Sequence, residues 1–225
     1  MQITSLSVQR NNPKRVNLFI DGKFLTGIPL GMVVENKLHV GLFLNDNLLN
    51  ILLLAIFREN LWNSAINYLS FRPRSEKEVK THLKEKIKSI ILKSKLFKNL
   101  PFNADKIIDE ICDKLKNINQ INDWEFTKWW VQQRQTFRGK SKSAISAELW
   151  QKGIGKKLVD EVFSESNDAP QSDKNTALKL IEKRLFRWSN YDTREKKNQI
   201  YKYLSRRGFS YETIEDVIDM VLQKA

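Results

Sequence analysis

The residues able to do chemistry in this 225-residue sequence are few, and none stands in a catalytic arrangement. Phe137-Arg138-Gly139-Lys140-Ser141 ends like a phosphate-binding loop. That motif requires a Gly five residues before Gly139, where Arg134 stands, and a strand ahead of it, which the pattern lacks. Gly153-Ile154-Gly155 has no third Gly and follows a helical pattern, so it reads as a helix cap. His39 and His82 are isolated, and with the single Cys112 they match no zinc-ligand spacing. His82 is expected on an exposed helix face. Asp105 and Asp109, and Asp216 and Asp219, sit at helical spacing and read as solvated faces. No nucleophile lies beside a base in sequence, and the expectation is a protein without catalytic activity, metal or cofactor.

What the side chains do offer is positive charge. There are 39 Lys and Arg against 26 Asp and Glu, a net of +13, which favours a polyanionic partner. The excess is clustered. Arg72 to Lys98 holds ten cations and three Glu; Lys128 to Lys157 holds eight against Glu148 alone; Arg194 to Arg207 holds six against Glu195. The remainder of the chain is net acidic. Arg72, Arg74, Lys77, Lys80, Arg134, Arg138, Lys140, Lys142, Lys152, Arg206 and Arg207 are the candidates for contact with phosphates or with acidic groups of a protein partner. Solvated faces that keep a protein soluble are the competing reading for any one cluster; recurrence at matching positions favours binding. Trp129 and Trp130 stand beside this charge and are chemically suited to stacking on unpaired bases, but Phe126 ahead of them on an amphipathic helix favours packing. Packing is expected for most of the six tryptophans, with Trp150 and Tyr203 half-exposed.

The elements that position these residues fall into two kinds. In the first 45 residues, Ile3, Leu6 and Val8 lead to a turn at Asn11-Asn12-Pro13-Lys14. Val16, Leu18 and Ile20 alternate, Asp21-Gly22 turns the chain, and Phe24-Leu25 resume. This is a small antiparallel β-meander, which should pack on a helix beginning near Asn45. The most apolar stretch, Leu48 to Phe57, is too short for the about 20 residues that span a bilayer and reads as a buried helix.

From Ala65 onward the period is helical and an internal repeat emerges. Ser141-Ile145-Leu149-Gly153-Ile154 matches Lys196-Ile200-Leu204-Gly208-Phe209, with the glycines 55 residues apart. Each Gly is expected to adopt the left-handed cap conformation, with a cation in the last turn. A further helix follows each, through Leu158, Val159 and Val162 or through Ile214, Val217 and Val221. Ser75-Val79-Leu83, then Phe102 with Ile107, Ile108 and Ile111, forms a first copy interrupted by a Lys-rich insertion over 84–101. One more helix precedes each copy: Ala65-Tyr68-Leu69, Phe126-Trp129-Trp130 and Ala177-Ile181-Leu185. Capping boxes are expected at Ser75…Glu78, Asn122…Glu125 and Asp192…Glu195. The polar run Ser164 to Asp173 reads as a linker.

These residues carry a resemblance. Ala65-x-x-Tyr68-Leu69-Ser70-x-Arg72-Pro73-Arg74-Ser75-x-x-Glu78-Val79 resembles the opening motif of the RecX regulatory proteins. The two Leu-x-x-Lys/Arg-Gly-Ile/Phe phrases and the aromatic helix from Phe126 to Arg134 follow the same pattern, so the resemblance covers nearly the whole chain. It implies a protein that lies along the filament of RecA on single-stranded DNA and inhibits its growth, ATP turnover or strand exchange.

The expected architecture is therefore mainly α: an elongated, curved array of three three-helix repeats behind a small N-terminal antiparallel β module. The modules are 1–45, 46–120, 121–166 and 167–225. The expected partners are RecA and its filament, with bare single- or double-stranded DNA as further ligands. The protein is expected to be a cytoplasmic monomer without membrane contact. Two rival readings are a stand-alone DNA-binding protein built on a helix-turn-helix-like pair and a basic scaffold for RNA.

Overall fold

The structure, a computed structural model, describes residues 1–93, 95–165 and 173–222. Two compact units divide the chain: Met1–Tyr68 with Thr81–Ile111, and Leu69–Lys80 with Cys112–Ala225. The fold is mainly helical, with one small antiparallel sheet.

In the first unit, β1 (Ile3–Gln9), β2 (Asn12–Ile20) and β3 (Lys23–Pro29) pair in sequence order. Ile3, Val16, Leu18, Ile20 and Ile28 point to the buried side. Asp21 and Gly22 both take positive φ, 48° and 75°, which gives the β2–β3 hairpin the turn twist its strands need. The first turn is tighter than the Asn11–Lys14 expectation. Asn12 already pairs with Gln9, so Asn12, Pro13 and Lys14 belong to β2. A short helix, α1 (Leu30–Glu35), was not legible in the sequence.

Helix α2 (Asp46–Leu69) runs without a break. With no Gly or Pro in those 24 residues, the expected leading helix and the expected separate helix at Ala65 are one. Leu49, Leu52, Leu53, Ile56, Phe57, Leu61 and Ala65 form its buried stripe. Phe57 packs on Phe102 and Phe97, with ring centroids 4.6 and 5.9 Å away. Glu59 accepts from Arg15 at 3.4 Å, tying α2 to the sheet. The Lys-rich insertion lengthens α3 (Glu76–Lys93) and adds the single turn α4 (Lys95–Lys98) before α5 (Ala104–Asn117). His82 is not on an open face: it stacks on Tyr68 at 4.1 Å and 2°, and lies 2.9 Å from Ser64 Oγ.

The second unit contains two further helical triplets. The first is α6 (Asp123–Gln133), α7 (Lys142–Gln151) and α8 (Lys156–Glu165); the second is α9 (Asp173–Glu182), α10 (Thr193–Ser205) and α11 (Tyr211–Leu222). Their cores correspond at the 55-residue spacing: Ile145 with Ile200, Leu149 with Leu204, Ile154 with Phe209, Val159 with Ile214 and Val162 with Val217, all buried. A π turn, Arg134–Arg138, extends α6 and is closed by Gly139 at φ 55°. Helix α9 ends at Glu182, short of the expected Leu185, which instead begins a 3₁₀ turn to Trp188. Of the expected linker, Ser164 and Glu165 end α8 and Asp173 begins α9; residues 166–172 lie outside those described.

Candidate polyanion-binding surface

All eleven predicted contact residues lie in the second unit, and the way α7 and α10 end explains much of their placement. Gly153 and Gly208 take φ 87° and 84°. The N–H of Ile154 donates to the Leu149 carbonyl at 3.0 Å and that of Phe209 to Leu204 at 3.4 Å. Each turn thus folds an apolar residue back onto its own helix, as a Schellman cap does.

Each of these caps also receives the start of the previous repeat's middle helix. Ser75 Oγ donates to the Lys152 carbonyl at 2.7 Å, and Ser141 Oγ to the Gly208 carbonyl at 2.6 Å. The next repeat's first helix closes the joint with an aspartate. Asp123 Oδ1 accepts from Glu76 N and Asp173 Oδ1 from Lys142 N, both at 2.9 Å. The joints are tight: a Cβ at Gly153 would lie 2.8 Å from Lys77 Cβ, and one at Gly208 2.6 Å from Ala144 Cβ. Lys77 also donates from Nζ to the Gln151 carbonyl at 2.9 Å.

The expected capping boxes are present with both halves at Ser75…Glu78 and Asp192…Glu195. At Asn122 the side chain accepts from Trp124 N and Glu125 N, while the Glu125 carboxylate turns instead to Lys128, 3.8 Å away.

Two carboxylates draw most of the predicted cations inward. Glu78 takes a two-pronged grip from Arg72 (2.8 and 3.2 Å) and a bond from Lys152 (2.8 Å). Burial opposes its ionisation, but these hydrogen bonds and charges outweigh burial and hold its carboxyl down at about 2. Glu148 accepts from Arg134 Nε at 2.7 Å, from Trp130 Nε1 at 2.9 Å and from Lys140. Burial again opposes ionisation there, and Lys140 and Arg134 again overcome it, so its carboxyl also lies below the usual range.

Trp130 lies between these centres, with Arg134 and Lys152 over its ring at 4.1 and 4.3 Å. It is core, as the sequence suggested, and Trp129 is half-buried beside it. Trp150, expected half-exposed, is open to solvent. Glu76 holds Lys80 at 3.0 Å, and Lys142 reaches Asp160 at 3.1 Å. In the third repeat Tyr203 stands where Glu148 stands in the second. Arg207 lies 3.8 Å over its ring and Arg184 4.3 Å.

Arg74 is half-buried. Arg138 and Arg206 are exposed and make no ion pair among the described residues. The same holds for Arg194, Lys197 and Lys202 on the outer side of α10, which single-residue reasoning passed over. Their signal was the absence of any acidic residue at i±3 or i±4 along the helix. The acidic sinks Glu78 and Glu148 were missed for the opposite reason: counted within basic clusters, they were outweighed by the lysines around them.

Comparison with known proteins places this arrangement. Residues 1–45 match the regulatory protein RecX N-terminal domain, and 62–87, 122–162 and 172–218 match the first, second and third RecX three-helix domains. Regulatory protein RecX of Bacillus pumilus is 32% identical over 99% of this chain and 77% of its own length; that of Bacillus subtilis is 30% identical over 97% and 76%. The chain belongs to the RecX family. The RecX fold is shared as well: a crystal structure of regulatory protein RecX, 22% identical, superposes with a TM-score of 0.62 over 97% of this chain and 98% of its own. RecX from Lactobacillus salivarius, 26% identical, gives 0.56 over 74% and 97%. Among the described residues no helix is long and apolar enough to cross a membrane.

Proposed function

We propose that this RecX-family chain is a non-enzymatic regulator that binds the RecA filament on single-stranded DNA and inhibits its ATP turnover and growth. The observation that carries the reading is the set Arg138, Arg194, Lys197, Lys202 and Arg206, exposed in the second unit without an acidic partner among the described residues. Unpaired exposed cations keep their full field for a polyanion, whereas cations already held by carboxylates do not. Arg138 and Arg206 are therefore the predicted residues assigned to direct contact. Lys77 adds charge from the rim and Arg74 from a half-buried position, whereas Lys80 and Lys142 are already held by Glu76 and Asp160. Arg72, Arg134, Lys140, Lys152 and Arg207 act mainly by fixing the repeats that present the surface.

The deciding experiment is RecA ATPase on single-stranded DNA titrated with this protein. Dose-dependent loss of turnover is expected; unchanged turnover together with no binding to the filament overturns the reading. One observation favours the stand-alone DNA-binding alternative: α10 presents Arg194, Lys197 and Asn198 within about one exposed turn, residue types that can read base edges. Sequence-specific duplex binding in the absence of RecA would establish that alternative.

A further inference from the structure

Phe71 is 83% exposed, Phe137 70% and Phe186 70%. Each is followed by an arginine: Arg72, Arg138 and Arg187. Each occupies the link between the first and middle helix of its repeat. Phe71 lies between α2 and α3, Phe137 in the π turn between α6 and α7, and Phe186 in the 3₁₀ turn between α9 and α10. Single exposed apolar residues need no explanation, but a large exposed ring in the first-to-middle-helix link of all three repeats does: Phe71 and Phe137 each stand four residues before the capping serine, and Phe186 stands six before the capping Asp192. All three belong to the second unit. The two joints use the same kind of bond, a serine Oγ to a backbone carbonyl at the next repeat's cap, on Lys152 in one joint and on Gly208, one register position later, in the other.

The rings are carried by fixed backbone. Arg72, next to Phe71, is anchored by Glu78 and by the Pro73 carbonyl at 2.8 Å. Phe137 sits in a turn closed by Gly139, where a Cβ would lie 2.7 Å from Leu180 Cδ2. Arg187 lies 5.6 Å over the Phe186 ring. Exposed aromatic faces interleaved with arginines, on a chain of net charge +13, suit a ligand that offers flat π faces and negative charge together. Single-stranded nucleic acid does so; a duplex hides its base faces.

We propose that Phe71, Phe137 and Phe186 are stacking platforms, one per repeat, for unpaired bases of a single nucleic-acid strand whose phosphates lie against the exposed Arg138 and Arg187. This goes beyond the recombinase reading and does not rest on it, so its test contains no recombinase. Fluorescence anisotropy of labelled oligo-dT with the full chain should show about tenfold weaker binding for each of Phe71→Ala, Phe137→Ala and Phe186→Ala, as expected for loss of one stacked base. A duplex of equal length should bind the variants as it binds the parent. Because the rings are exposed, the variants should melt with the parent; where an alanine variant does not, the leucine variant stands in. Phe→Leu keeps apolar area but removes the π face, and should stay weak on oligo-dT. Unchanged oligo-dT affinity overturns the proposal. So does full recovery by leucine, which would indicate an apolar protein pocket, and so does equal loss on the duplex, which would indicate charge alone.

Discussion

Ser75 donates from its Oγ to the backbone carbonyl of Lys152, 2.7 Å away and 77 residues further along the chain. The same hydroxyl accepts from Glu78 N, so one buried side chain caps α3 and docks it on the end of α7. Ser141 repeats the arrangement between α7 and α10, capping through Ala144 N and docking through Gly208. The serine that marks a helix start in the sequence is therefore also the residue that joins repeats.

Removing that hydroxyl should be costly. Ser75→Ala leaves a helix N–H and the Lys152 carbonyl without their partner, and about 2 kcal/mol of stability should be lost. Ser141→Ala should lose a similar amount. The two joints share no side chain, so the double variant should lose roughly the sum. Urea unfolding followed by circular dichroism measures this; a midpoint unchanged in both single variants would contradict the joint.

The glycines on the other side of the joint give a second test. At Gly153 and Gly208 alanine meets a left-handed backbone and a neighbour closer than 3 Å, so each substitution should cost about 2 kcal/mol. Gly31→Ala is the control: α1 leaves open space around Gly31 and alanine suits a helix better. Thermal melts should fall for the first two and hold or rise for the third.

Why the sequence disclosed one half of this joint and not the other is a matter of range. Leu149 to Ile154 and Leu204 to Phe209 announce a helix end through local backbone needs, and the fold follows them closely. The partners of Lys152 are set by residues 74 to 77 positions away, which no periodicity reports. The same is true of the surface. Clustering located the positive charge, but Glu78 and Glu148 decide which cations remain available, and each takes a cation from outside its own helix, Lys152 for Glu78 and Arg134 for Glu148. His82 illustrates the point on a small scale, since its Tyr68 partner sits on another helix.

Acid should loosen the joint through Glu78. Folding lowers its pKa from 4.5 to about 2, so its charged form stabilises the native state above 4.5 and that contribution disappears as pH falls towards 2. The shift corresponds to roughly 3 kcal/mol. Glu148 and Glu76, also lowered, act in the same direction. Asp123, pushed up by burial and by the Glu76 charge, partly offsets the loss. Glu78→Gln should be destabilised at pH 7 and show a flatter stability profile between pH 5 and 2 than the parent. Parallel profiles for the two proteins would contradict the assignment.

Charge reversal separates the cations that bind from those that hold the fold. Arg138→Glu and Arg206→Glu remove exposed charges that have no acidic partner among the described residues, so stability should change by no more than about 0.5 kcal/mol. Lys140→Glu instead sets a second carboxylate against Glu148 and should destabilise the second repeat. Filament binding should weaken for all three, but only Lys140→Glu should do so together with a lower melting temperature. Salt makes the distinction sharper. If Arg138 and Arg206 each meet a phosphate, the double variant should lose about 1.4 to 2 units from the slope of log affinity against log salt. A slope equal to the parent's, in a variant that is folded, would remove both residues from the contact surface and leave α10 residues Arg194, Lys197 and Lys202 to carry it.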